Sequence, residues 1–132
     1  MENEMNNLAG EKATICHMED NCSQYLVVEH NGDVYPCDFF VREDLRLGNI
    51  NDTSFEKLMI SQIYTDFGNK KSSYSFLCDS CQYLSLCYGD CLKHRKYIPG
   101  KLMKLSSLCS GWKEFYKYSL NIFEQIVEAV WK

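Results

Sequence analysis

Cys78-Asp79-Ser80-Cys81-Gln82-Tyr83-Leu84-Ser85-Leu86-Cys87-Tyr88-Gly89-Asp90-Cys91 is the stretch whose reading decides the fold of this chain. Four thiols at the spacing C-x2-C-x5-C-x3-C are a ligand set rather than packing material. A C-x-x-C turn folds two sulfurs onto one side of a metal ion or cluster edge, and two further cysteines complete the coordination. Four more stand apart at Cys16, Cys22, Cys37 and Cys109, so the eight cysteines divide into two sets of four.

The rest of the composition narrows the class. A chain of 132 residues suits one small domain with a modest core, too short for an ordinary catalytic barrel. The formal charge of −4 argues against nucleic acid as a partner, because phosphate binding calls for an excess of Lys and Arg. No apolar run approaches a membrane span, and Met1 to Lys12 does not resemble a signal peptide, so a cytoplasmic location is expected. In that reducing compartment eight cysteines point to metal; in a secreted protein the same count would suggest four disulfides. No Gly-rich phosphate loop and no Ser/His/Asp or Cys/His nucleophilic arrangement is legible.

Working outward from the cluster, residues 1–15 are polar, without caps or periodicity, and read as a linker or the tail of an upstream domain. His17, beside Cys16, is a candidate ligand whose plainer reading is a surface residue. Tyr25 to Cys37 contains two β-rich runs joined by Asn31-Gly32, a type I′ hairpin signal. A two-residue loop pairs 28 with 35, 27 with 36 and 26 with 37, placing Leu26, Val28, Tyr35 and Cys37 on one apolar face. Pro36 then falls opposite Val27 on what should be a free edge. Strand alternation sends Asp38 to the face opposite Cys37, a carboxylate one residue from a thiolate but aimed away from it.

Leu47-Gly48-Asn49 reads as a turn. Thr53-Ser54-Phe55-Glu56 has the form of a capping box, and Phe55, Leu58, Met59, Ile63 and Phe67 predict a helix over 54–66 that ends at Gly68, its apolar stripe in the core. The segment 93–104 carries five Lys/Arg and no acid; it is either a solvated loop or a set of cations that raises the potential of an anionic metal centre. From residue 110 to 132, Trp112, Phe115, Tyr116, Ile122, Phe123, Ile126, Val127 and Val130 mark one face of a long amphipathic helix. The expected fold class is therefore α+β: a small cluster-stapled domain with an N-terminal β-hairpin, further helices and a long C-terminal helix.

Zinc sites usually pair two C-x2-4-C knuckles, whereas here one knuckle is followed by C-x5-C-x3-C and scattered partners. Cubane [4Fe–4S] clusters accept mixed spacings and often have Pro beside a ligand, as in Pro36-Cys37. Iron–sulfur is the better fit, with a zinc-stapled, non-redox interaction module as the alternative.

These residues also carry a family resemblance. Cys22-x9-Gly32-x4-Cys37, then Cys78-x2-Cys81-x5-Cys87-x3-Cys91, then Cys109 resembles the seven-cysteine signature of the SPASM domain of radical S-adenosylmethionine enzymes. Residues 28–40, with Leu47-Gly48-Asn49-Ile50, resemble the anaerobic sulfatase-maturating enzymes, which oxidise a sulfatase active-site Cys or Ser to Cα-formylglycine. The resemblance implies a SPASM-like domain over 16–109 followed by the 110–132 helix. It implies one [4Fe–4S] cluster on Cys16, Cys22, Cys37 and Cys91, and a second on Cys78, Cys81, Cys87 and Cys109. It also implies that Asp38 is catalytic, taking the substrate proton, and that the partners are a sulfatase peptide and an upstream radical SAM barrel.

The family's C-x3-C-x2-C motif is missing, since His94 stands where Cys87-x3-Cys91 would need its third cysteine. S-adenosylmethionine and a third cluster would therefore belong to the upstream domain, and this chain alone is expected to be inactive. The SPASM domain of another peptide-modifying maturase is the nearest alternative. On a regular helix Cys87 and Cys91 would face the same way, yet the family splits them between clusters, so the chain must turn between them, which Gly89 permits.

Overall fold

Asn31-Gly32 does reverse the chain, but through a three-residue loop. In the computed structural model, which describes residues 1–95 and 105–131, Asn31 keeps a negative φ and only Gly32 is left-handed, at φ +87°. The Gly32 N–H donates to Glu29 O and the Glu29 N–H to Asp33 O, both at 2.8 Å. This is a turn followed by a glycine bulge, not a type I′ turn. The register of β1 (Val27–Val28) on β2 (Asp33–Tyr35) therefore slips by one, pairing Val27 with Tyr35 and Val28 with Val34. The slip corrects the expected face: Val28 sides with Val34, not with Tyr35 and Cys37. Val34 is wholly buried and Val28 exposed. Pro36 lies beyond the last paired residue rather than opposite Val27.

Nor is β2 an edge. Leu47-Gly48-Asn49, expected as a turn, supplies β3 (Gly48–Asn49), which pairs antiparallel with β2 to give the sheet order β1-β2-β3. The Asn49 amide donates to Asn31 O and Asp33 Oδ1, each at 3.0 Å. Arg46 and Asn49 together hold the Asp33 carboxyl down to about 2. A Cβ on Gly32 would stand 2.7 Å from Asn51 Nδ2 and 2.8 Å from Asn49 Oδ1, so the bulge and β3 fit each other only through glycine.

The expected 54–66 helix is two helices, α2 (Phe55–Met59) and α3 (Gln62–Asn69). The capping box does not form: Ser54, not Thr53, is the N-cap of α2, and its side chain caps no N–H. Ser61 starts α3 afresh by accepting the Tyr64 N–H at 3.3 Å. Gly68 does not stop the helix, which continues to Asn69. Breaking the helix redistributes its apolar stripe. Leu58 and Phe67 are buried as expected, whereas Phe55, Met59 and Ile63 are exposed. Tyr64, outside the stripe, is buried instead, with its hydroxyl donating to Tyr25 O at 3.1 Å.

The sheet and these helices make one compact unit, residues 21–72; residues 1–20 and 73–132 make the other. Residues 2–8 of the second unit, in which no periodicity is legible, form α1 (Glu2–Leu8), which packs on α5 (Cys109–Trp131). Between them in sequence lies the single turn of α4 (Leu84–Cys87). The expected apolar face of α5 is one broad arc of which half is buried. Tyr116 and Phe123 are in the core, with Trp112 and Val127 beside them half-buried, while Phe115, Ile122, Ile126 and Val130 stay exposed. The fold is thus α+β, with a three-stranded antiparallel sheet and a long C-terminal helix. Among the described residues no helix is long and apolar enough to cross a membrane.

Candidate metal centre

Cysteines 78, 81, 87 and 109 come together from four short pieces of backbone. Cys78 ends a 3₁₀ turn, Phe76–Cys78, begun by Ser75, whose hydroxyl accepts the Leu77 N–H at 3.3 Å. The Cys81 N–H donates to Cys78 O at 2.9 Å, closing the C-x-x-C turn. Cys87 is the last residue of α4 and Cys109 the first of α5. All four line one cavity of about 290 Å³, with Trp112 and Asp90 in its wall. Burial pushes the Cys78 thiol up, and so do the neighbouring Cys87, Cys109 and Cys81. Four sulfur donors crowded into an apolar wall disfavour ionisation unless a cation shares the cavity.

The donor set fits an iron–sulfur cluster. The four cysteines line a cavity of about 290 Å³, and four thiolates are the usual ligand set of such a cluster. Among the described residues no group of three or more His, Cys, Asp or Glu side chains is placed to hold a metal ion as the side chains stand. All eight cysteines are thiols, with no disulfide among them.

Behind the cavity stands an aromatic wall on α5, where Trp112 and Tyr116 stack at 5.7 Å and Tyr83 meets Tyr116 at 5.5 Å. His17 is half-buried with its ring stacked on Trp112 at 5.5 Å, so it is not the surface residue expected. Burial raises the Tyr116 hydroxyl well above the ordinary phenol range, which keeps it neutral beside the thiols.

Asp90 is a feature that sequence reasoning missed. The residue is 1% exposed, and its carboxylate accepts the Ser106 hydroxyl at 2.6 Å and faces His94 Nδ1 at 3.0 Å. Burial opposes its charge, but the Ser106 and Cys91 donors more than offset this and hold its pKa down. The Ser106 hydroxyl in turn accepts the Leu108 N–H at 2.9 Å, so the approach to Cys109 is tied to the residue just before Cys91. An acidic residue between glycine and a ligand cysteine was the available signal.

The remaining ligand candidates occupy both units. Cys16 opens a 3₁₀ turn, Cys16–Met18, and Cys91 precedes another, Leu92–His94, in the unit that holds the cavity; Cys91 is not among the cavity's lining residues. Cys22 and Cys37 lie in the other unit. The Cys22 N–H donates to Gly68 O at 3.2 Å, and a Cβ on Gly68 would sit 1.9 Å from Ser23 Oγ. Gly68 is thus the seat of the Cys22 loop rather than a helix stop. Gly68→Ala should destabilise the protein by about 1–3 kcal/mol, read as a lower denaturation midpoint, because the Ser23 and Asn21 side chains that fill that space have to move. An unchanged midpoint would show that the loop can move aside.

Asp38 also departs from expectation. The strand ends at Tyr35, Cys37 is extended, and the chain then winds into a 3₁₀ turn, Asp38–Phe40. Alternation stops there, so the carboxylate is not aimed away from the sulfur: Cys37 Sγ donates to Asp38 Oδ1 at 3.4 Å, and Asp38 is exposed. Of the basic segment, residues 96–104 lie outside the described residues.

The model of the SPASM family, described as an iron–sulfur cluster-binding domain, matches residues 16–82. The chain is 33% identical over 108 residues to a cysteine-type anaerobic sulfatase-maturating enzyme of Clostridium perfringens, covering 82% of this chain and 29% of that protein. It is 35% identical over 115 residues to a serine-type anaerobic sulfatase-maturating enzyme of Bacteroides thetaiotaomicron, covering 85% of this chain and 28% of the relative. A solved structure of native anSMEcpe with bound AdoMet and Kp18Cys peptide superposes with a TM-score of 0.88 at 28% identity, covering 98% of this chain and 36% of that one. The chain therefore spans about a third or less of the proteins it resembles. With the family model matching more than half of the residues, and with four cysteines of the expected set around one cavity, the chain belongs to the SPASM family of iron–sulfur cluster-binding domains.

Proposed function

We propose that this chain is the C-terminal auxiliary-cluster domain of a radical SAM anaerobic sulfatase-maturating enzyme, which oxidises a sulfatase Cys or Ser to Cα-formylglycine. The observation that carries the reading is the cavity lined by Cys78, Cys81, Cys87 and Cys109. Those four residues would hold one [4Fe–4S] cluster, and Cys16, Cys22, Cys37 and Cys91 the other. Bound there, the clusters would supply one-electron acceptor chemistry. The aromatic wall of Tyr83, Trp112 and Tyr116 would keep water from the first site and lower its dielectric. Asp38, exposed beside Cys37, would take a proton from the substrate thiol or alcohol at its carboxylate. The partners are then a sulfatase peptide and an upstream radical SAM barrel, which would bind S-adenosylmethionine.

Anaerobic reconstitution tests this directly. The protein should hold about eight irons and about eight sulfides in two cubanes, and it should not bind S-adenosylmethionine, because cysteine sulfurs saturate both clusters. A colourless protein with about two tightly bound zinc ions would establish the zinc-stapled module instead.

A further inference from the structure

The helix α4 ends at Cys87, and the next three residues are all left-handed: Tyr88 at φ 43°, Gly89 at φ 71° and Asp90 at φ 63°. Glycine adopts this conformation freely, but tyrosine and aspartate do so against steric resistance, so something must hold the turn. The Arg95 side chain reaches all three residues. Its Nε donates to Gly89 O at 2.9 Å, and its Nη2 to Tyr88 O at 2.8 Å and Asp90 O at 3.0 Å. Its Nη1 reaches Ser73 O at 3.3 Å. Three successive carbonyls converge on one guanidinium, an arrangement that only a planar, multi-donor fork can satisfy.

The backbone of Arg95 is itself anchored. Arg95 forms a bridge with Ser106, and the Ser107 N–H donates to His94 O at 2.8 Å. The same Ser106 hydroxyl donates to Asp90 at 2.6 Å. The clamp and the turn are therefore fastened to the segment that delivers Cys109. Gly89 adds a steric condition, since a Cβ there would lie 2.7 Å from Tyr74 Cβ and 3.0 Å from Arg95 Nη2. The guanidinium packs where a side chain would otherwise be.

We infer that Arg95 is a positioning residue whose guanidinium locks the left-handed turn Tyr88–Asp90 and thereby directs Cys87 and Cys91 into different ligand sets. Without the clamp the turn relaxes toward the regular helix that α4 begins, in which residues four apart face the same way. Cys87 keeps its place at the cavity, and Cys91 turns to the same side as Cys87 and is lost to the second ligand set. The inference rests on the two-cluster reading above.

The experiment compares Arg95→Gln, Arg95→Lys and Cys91→Ser with the unaltered chain after anaerobic reconstitution, by iron content and by electron paramagnetic resonance of the reduced clusters. Arg95→Gln should fall from about eight irons to about four, retaining one cluster signal and losing the one that Cys91→Ser loses. Arg95→Lys, which keeps the charge but not the fork, should follow it. If Arg95→Gln does not fold, Arg95→Lys decides: one cluster upholds the clamp and two overturn it. Both Arg95 variants with the iron content and spectrum of the unaltered chain would overturn it as well. An unaltered chain without two clusters would refute the underlying reading, and the variants keep these failures apart.

Discussion

Removing iron and sulfide anaerobically should abolish the cooperative thermal transition of this chain. The elements around the cysteines are too short to stand alone: α4 is four residues, and the strands are two, three and two residues. The cavity that four thiols line would be left without the cation that lets them ionise in an apolar wall. Metal binding at structural sites contributes about 10–16 kcal/mol in zinc peptides, as large as the whole net stability of a domain, about 5–15 kcal/mol. A term of that size decides folding. The apo-protein should keep part of its helical circular dichroism, chiefly from α5, and lose its sharp melting. An apo form that melts as sharply as the holo form, at a similar temperature, would show that Tyr116, Phe123 and their neighbours suffice as a core.

In an enzyme that joins this domain to a radical SAM barrel, Asp38→Asn should leave both auxiliary clusters in place and slow formylglycine formation by about 100-fold or more, the usual range for losing a general base. Asn matches Asp in size and contributes no ligand, so the iron content should not change. What changes is the carboxylate, which in the structure sits in the open, 3.4 Å from Cys37 Sγ. Oxidising a thiol or alcohol to an aldehyde releases protons as well as electrons, and a base next to a ligand sulfur can take a proton where the electrons leave. Intact clusters with undiminished turnover would reduce Asp38 to a surface carboxylate. Loss of iron in Asp38→Asn would instead show that its contact with Cys37 is structural.

Much of this was legible because it depends on what residues are rather than on where neighbours lie. Eight cysteines in the spacing of Cys16 to Cys109 announce thiolate chemistry whatever the backbone does between them. The hairpin at Asn31-Gly32 and the periodic run of α5 follow from local torsional preference and a 3.6-residue repeat, and both are present. Even the need for a turn after Cys87 follows from helix geometry once the family resemblance assigns Cys87 and Cys91 to different clusters.

The tertiary structure decided what local signals leave nearly degenerate. A type I′ turn and a three-residue glycine bulge use the same Asn-Gly, and the choice falls to β3, whose Asn49 bonds Asn31 and Asp33 across the loop. Gly68 reads as a stop until Ser23 is found against it, and one broad apolar arc on α5 became a buried half and an open half once α1 packed beside it. The left-handed turn between Cys87 and Cys91 is met by Arg95, whose guanidinium bonds the carbonyls of Tyr88, Gly89 and Asp90 and whose backbone forms a bridge with Ser106. Ligand identity is a property of single side chains and survives in a one-dimensional record. Register, exposure and the hand of a turn are settled by contacts between residues far apart in sequence, and those exist only in the folded molecule.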